Sequence, residues 1–342
     1  MAPASGSSAT DGPGIGLFRD SGGPGLLVLA AYQGREATAL DALRVQRALG
    51  SRAPSLAVAT TLHHFSMATL AAVIADEGMK SMILESLAAT NDLVTFGFAE
   101  ERPGAGVLSP SMTATEGPDG VGVSGVTHPH GLAGSMELLI AGVMLSPSDG
   151  SGEQPAVALV PAESEGLSVS ETGAGSEQVT LDDVLVAPEL LVRDSGLGGR
   201  LDALLAASFA WYQLLMTGSR LGAASALVER VLLDNRVPEA ERVRLLVETE
   251  GAMSAAEGVA RRIDDGGTDE PALAHSLYVR YCVEDALSRL VPRAVELLGS
   301  TASDEVGHLA ACANGLASQP PVRSQMTGPL AAYLEGGSLT IA

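Results

Sequence analysis

The chain has 342 residues, 46% of them hydrophobic, which is enough for two or three domains with cores of their own. Acidic residues outnumber basic ones 41 to 20, and the resulting net charge of −21 repels phosphate backbones, excluding nucleic acid as a natural partner. No stretch reaches the roughly 20 uninterrupted apolar residues of a membrane span. The small, polar start lacks the basic-then-apolar order of a secretion signal, so we expect a disordered tail over 1–14 and a cytoplasmic protein.

From Leu40 the pattern is helical. Leu40, Leu43, Val45 and Leu49 recur at three- and four-residue steps until Ser51–Pro54 break the run. Leu56 to Ile74 is apolar nearly all round, which predicts a buried helix, and a third helix follows Gly78 over Met79–Leu87. These segments make a helical domain over 15–91.

The texture then changes. Val94–Phe98, Ser111–Thr115, Val121–Val126, Leu138–Leu145, Ala156–Val160, Leu167–Val169 and Gln178–Val186 are short, β-branched or apolar, and separated by Gly, Pro, Asp and Ser. Segments of this kind at close spacing predict an all-β domain, a sandwich or barrel, over 92–195.

Helices return over 196–342. Leu201–Asn235 is long, and Gly218 and Gly222 lie four apart, on one face, where a neighbouring backbone can approach closely. A second helix runs to about Asp264, a third covers Ala272–Leu298, and a fourth Asp304–Leu316, together a four-helix bundle.

Few residues offer chemistry on their own. Cys282 and Cys312 are too few for a disulfide framework and read as two buried thiols in a reducing compartment. His63-His64 and His128-Pro129-His130 lack the further converging ligands that a metal needs. Adjacent His63 and His64 are expected on different helix faces, and His-Pro-His in an exposed turn. There is no P-loop, no G-x-S-x-G and no G-x-G-x-x-G after a strand.

The order of helical, β and bundle segments resembles the acyl-CoA dehydrogenase family, and local stretches carry the resemblance. Thr95–Gly106 (TFGFAEERPGAG) is similar to the family's T-E-P-x-x-G-S-D strand and turn. Val123–Gly125 with Glu137–Met144 resembles the next strands. Ala158–Val169 matches its Pro, acidic loop and Gly-Leu segment, and Val179–Leu191 (VTLDDVLVAPELL) its exit strand. Ser51–Phe65 resembles the amino-terminal helical domain, and Tyr333–Ser338 (YLEGGS) the Y-E-G-T-S segment of the catalytic glutamate.

The resemblance implies α,β-dehydrogenation of an acyl thioester carried by CoA or a carrier protein. Glu335 would take the α-proton and FAD would accept the β-hydride. The cofactor-binding positions it marks are Phe98, Gly104, Gly106, His130, Arg236, Gly299 and Ser338. It also implies a homodimer or tetramer, or a hetero-oligomer with a complete relative.

The departures lie where the family holds flavin. Val107-Leu108 replaces Ser-Asp, and aliphatics cannot make those hydrogen bonds. The tryptophan-x-Thr/Ser segment that packs on the flavin ring falls near Thr127–Ala133, which has no tryptophan. The Arg-x-x-Phe-Gly segment reads Asn235–Glu239, with Arg236 among acids, and Glu296 replaces a neutral glutamine. Loss of flavin is therefore a second expectation. It leaves two alternatives: a non-redox isomerase or cyclase, and a non-catalytic subunit of a hetero-oligomeric dehydrogenase.

Overall fold

The computed structural model describes residues 13–74, 76–97, 110, 112–129, 131–150, 152–171, 177–198, 200–267, 269–299 and 304–339. They form two compact units. One takes its described residues from 13–36 and 62–208, the other from 37–61 and 209–339.

In the first unit, α1 (Pro13–Asp20) precedes the later part of α3 (Pro54–Val73) and α4 (Glu77–Thr90). Asp76 starts α4 by accepting the Met79 N–H at 2.7 Å, and Asn91 ends it in the left-handed conformation. By length and composition α3 could cross a membrane, but 72% of its apolar window is buried inside the protein, so it is a core helix. Its His63 joins separate segments: the Val94 N–H donates to Nδ1 at 3.0 Å, which leaves Nε2 to donate to Pro24 O at 2.9 Å. Both His63 and His64 turn inward, contrary to the expectation of different faces, because Phe18 packs edge-on to both rings.

The expected strands form as β1 (Val94–Gly97), β2 (Met112–Gly117), β3 (Gly120–Thr127), β4 (Leu138–Ser146), β5 (Gln154–Pro161), β6 (Leu167–Glu171) and β7 (Glu177–Val186), with a short β8 (Leu191–Arg193). They pair in one sheet, in the order β6-β7-β3-β2-β4-β5-β8, with β1 also on β4. The expected β region thus forms as a single path of paired strands. Alternation locates strands but does not say which edges meet. β1 and β2 run parallel to successive stretches of β4, Leu138–Ala141 and then Val143–Ser146; the other pairings are antiparallel.

The apolar face buries Val123, Leu139, Val143, Ala158, Leu181 and Val184. Alternation in β7 slips between Leu181 and Val184, opposite the register shift in β3 at Val123/Gly125. Asp183, at φ 49°, takes up the extra residue and donates its N–H to Ser124 Oγ at 3.0 Å. The bulge keeps apolar residues inward on both sides of the Asp182-Asp183 pair.

In the second unit, α2 (Ala39–Arg52) lies against α5 (Leu201–Leu233), with α6 (Glu239–Asp264), α7 (Glu270–Leu298) and α8 (Asp304–Asn314) following. The glycine expectation holds. A Cβ on Gly222 would stand 2.3 Å from Arg47 O, and one on Gly50 would stand 2.1 Å from Ser219 O. The Asp264 carboxylate accepts the N–H groups of Ala39 at 2.6 Å and Leu40 at 3.2 Å, satisfying the start of α2 from the end of α6.

Beyond the four expected helices lies α9 (Arg323–Leu334), which sequence pattern concealed because Gly328 and Pro329 interrupt it and only Met326 is buried. The thiols also depart from expectation. Cys282 is exposed and Cys312 half-buried, since their positions on α7 and α8 turn outward from the bundle's apolar seam.

Candidate functional site

Gly97 ends β1 and Thr127 ends β3, and the two strand ends touch. A Cβ on Gly97 would stand 3.1 Å from both Thr127 Cγ2 and Met112 Cε. The chain therefore enters segments 98–109 and 128–135 from adjacent points. These are the two segments that sequence comparison marked for flavin, although Phe98, Gly104, Gly106 and His130 themselves lie outside the described residues. Thr95, on the same face of β1 as Gly97, buries a hydroxyl that has no hydrogen-bond partner among the described residues. A hydroxyl in that state is ready to meet a polar ring edge. His128 is half-buried rather than fully exposed, because the neighbouring Pro129 is buried and carries it inward.

The turn 128–135 is held from two directions. Glu177 of β7 is buried, and its Oε2 accepts the Ala133 N–H at 2.9 Å while Oε1 lies 3.4 Å from the Gly134 nitrogen. Arg19 of α1 donates to Ser135 O at 2.6 Å and pairs with Glu137 at 2.8 Å. Sequence analysis passed over Glu177 although a signal was present: it lies two and four residues before Val179 and Leu181, in phase with the buried face.

The positions marked for phosphate are committed elsewhere. Arg236 grips Asp234 through two nitrogens, Nε–Oδ1 at 2.9 Å and the terminal nitrogen to Oδ2 at 2.6 Å. These hydrogen bonds pull the Asp234 carboxyl down to about 2. Glu296 and Glu241 are both taken by Arg293, at 2.7 and 3.1 Å, so Glu296 does not stand as a bare charge. Gly299 caps α7 with its N–H on Val295 O and has open space where a side chain would be.

Glu335 follows the last residue of α9 and is exposed, its N–H closing the helix on Ala331 O and Ala332 O. Ser338 is also exposed, and Leu339 donates its N–H to Glu270. A cleft of about 250 Å³ in the bundle unit, walled by Val228, Leu232 and Leu246 and rimmed by Arg47 and Glu250, contains none of the marked residues. Among the described residues no group of three His, Cys, Asp or Glu side chains could hold a metal ion.

No family model matches the chain. Isobutylamine N-hydroxylase of Streptomyces viridifaciens is 40% identical to it over 349 residues, covering 97% of this chain and 92% of that protein. The chain belongs to the acyl-CoA dehydrogenase family of flavoenzymes. Solved structures share the fold at lower identity. Dibenzothiophene monooxygenase from Paenibacillus sp. A11-2 superposes with a TM-score of 0.79 at 18% identity, over 96% of this chain and 92% of that one. Glutaryl-coenzyme A dehydrogenase with its glutaryl-CoA gives 0.78 at 19%, over 94% and 86%. The family's fold thus supports both oxygen-inserting and dehydrogenating members.

The flavin of such a family fits this chain at the ring end. Thr95, Gly97 and Thr127 stand where the two marked segments begin, and the buried Thr95 hydroxyl is suited to a ring carbonyl or nitrogen. The phosphate end differs, since Arg236 is spent on Asp234.

Proposed function

We propose that the protein is a flavin-dependent monooxygenase that hydroxylates the nitrogen of a small aliphatic amine. The observation that carries this reading is the 40% identity to isobutylamine N-hydroxylase, sustained across nearly the whole of both chains. The net charge of −21 supports it, because such a field draws alkylammonium ions in and repels a CoA polyphosphate.

In the reaction, an amine nitrogen forms a bond to one oxygen atom of O2 while the O–O bond breaks. The other oxygen leaves as water, and the nitrogen gives up a proton. Reduced flavin, when bound, supplies the two electrons that this balance requires. The chain's part is to hold the ring beside Thr95, Gly97 and Thr127. Arg236 is paired with Asp234, so holding a flavin phosphate there would mean breaking that ion pair. No C–H bond breaks, so an exposed Glu335 has no α-proton to remove.

Purified protein given isobutylamine, chemically reduced flavin and O2 should yield a product heavier than the amine by one oxygen, with label from ¹⁸O2. Failure to incorporate label, with dye reduction driven by an acyl-CoA instead, removes this reading. That outcome would favour acyl-thioester dehydrogenation by Glu335, a second reading supported by the YLEGGS segment.

We also propose that the bundle unit associates with a second copy of the chain. Leu233 on α5 and Val243, Leu246 and Val247 on α6 are large apolar side chains left exposed on consecutive helices.

A further inference from the structure

We propose that Glu177 is the positioning residue for the flavin ring, doing by hydrogen bonds what an aromatic side chain would otherwise do by packing. The inference rests on the flavin reading above. The turn Ala133–Ser135 opens without a side-chain cap from Leu132, the residue that precedes it. Its first N–H, on the buried Ala133, is turned inward, and leaving such a donor unpaired in a core is costly. Glu177 reaches it and the Gly134 nitrogen from a different strand, 44 and 43 residues away in sequence. It sits on the buried face of β7 in line with Val179 and Leu181, where an apolar residue would be the ordinary choice.

A carboxylate in that place serves as a fixture for the turn. The segment 127–135 is thereby fastened at three points. Thr127 belongs to the sheet, Ala133 and Gly134 meet Glu177, and Ser135 O accepts from Arg19. Between the first two lies Gly131 at φ 84°, a conformation that lets the backbone turn sharply. This stretch contains no tryptophan, so no large ring can wedge it in position. Glu177 would thus act on the cofactor through the turn.

The test compares wild type with Glu177→Gln and Glu177→Asp, using Glu171→Gln on the facing strand as a control. Each is titrated with FAD and FMN, following flavin absorbance and fluorescence, alongside thermal melts. Glutamine keeps one acceptor but turns an NH2 toward a backbone N–H. The expected result is a folded E177Q with flavin affinity lowered about tenfold and an absorbance band closer to that of free flavin. E177D, which retains the charge, should recover part of both, and E171Q should match wild type. Wild-type affinity and spectrum in E177Q overturn the proposal and leave the flavin reading standing. If E177Q does not fold, an unchanged affinity and spectrum in E177D overturns it instead. A wild type that binds neither flavin overturns both readings.

Discussion

Gly50 of α2 and Gly222 of α5 meet backbone to backbone. A Cβ on Gly222 would stand 2.8 Å from the Gly50 Cα, and one on Gly50 would stand 3.2 Å from the Gly222 Cα. Ser219 supports the same crossing, its hydroxyl donating to Gln46 Oε1 at 3.1 Å, while Gln46 in turn donates to Thr60 at 3.1 Å. Close approach of two helices is what lets these polar groups pair in a buried site.

Gly222→Ala therefore tests the crossing. Alanine raises helix propensity by up to ~1 kcal/mol, but the added methyl meets Arg47 O and the Gly50 backbone, which cannot step aside as a flexible side chain would. The net expectation in urea unfolding is a loss of about 2 kcal/mol. Gly251→Ala on the exposed side of α6, where a Cβ meets nothing, should be neutral or stabilising.

Burial pushes His63 down to about 4, against the opposing pull of the hydrogen bond it donates to Pro24 O. His64 falls well below its ordinary value through burial and then through the charge of its neighbour. Both are neutral in the fold, so the unfolded chain binds more protons below its own value of about 6.5. Stability is fully present above that pH and is lost as pH falls towards 4, by about 3 kcal/mol from His63 alone. His64 has no partner for either nitrogen among the described residues. Chemical denaturation at pH 7 and pH 5 should show His64→Leu flattening this loss.

Arg280 is buried and spends its guanidinium on Glu284 at 3.0 Å, Gln213 Oε1 at 2.6 Å and the carbonyls of Leu316, Gln319 and Pro320. Burial raises Glu284, with Arg280 opposing the shift. Arg280→Met leaves that carboxyl and three carbonyls without their donor, and should cost about 3–5 kcal/mol. Arg280→Met with Glu284→Leu should recover part of the loss in a double-mutant cycle.

Glu335→Gln separates the two chemistries. Under N-hydroxylation, hydroxylamine formation should stay within about twofold of wild type, because the step needs no carboxylate at that position. A collapse of turnover with unchanged flavin binding would restore Glu335 as a catalytic base.

Val247→Asp and Leu233→Asp place charge on the exposed apolar face of α5 and α6. Wild type should sediment as more than a monomer and either variant as a monomer, with the melting temperature at low protein concentration little changed. Monomeric wild type would remove the second copy.

Local pattern was enough to locate most elements. Val121, Val123 and the phase of Val179 and Leu181 marked strands, and the three- and four-residue steps from Leu40 marked α2, since burial on one face imposes those periods. Gly218 and Gly222 announced a close crossing for the same reason. Which partners meet is another matter, because it depends on residues far apart in the chain. That β1 and β2 share one edge of β4, that Asp264 starts α2, and that Glu177 holds the turn at Ala133 are contacts across 31 to 225 positions. No periodicity carries them. Arg236 is a local case: its partner Asp234 lies two residues away, and the folded turn brings the two charges together.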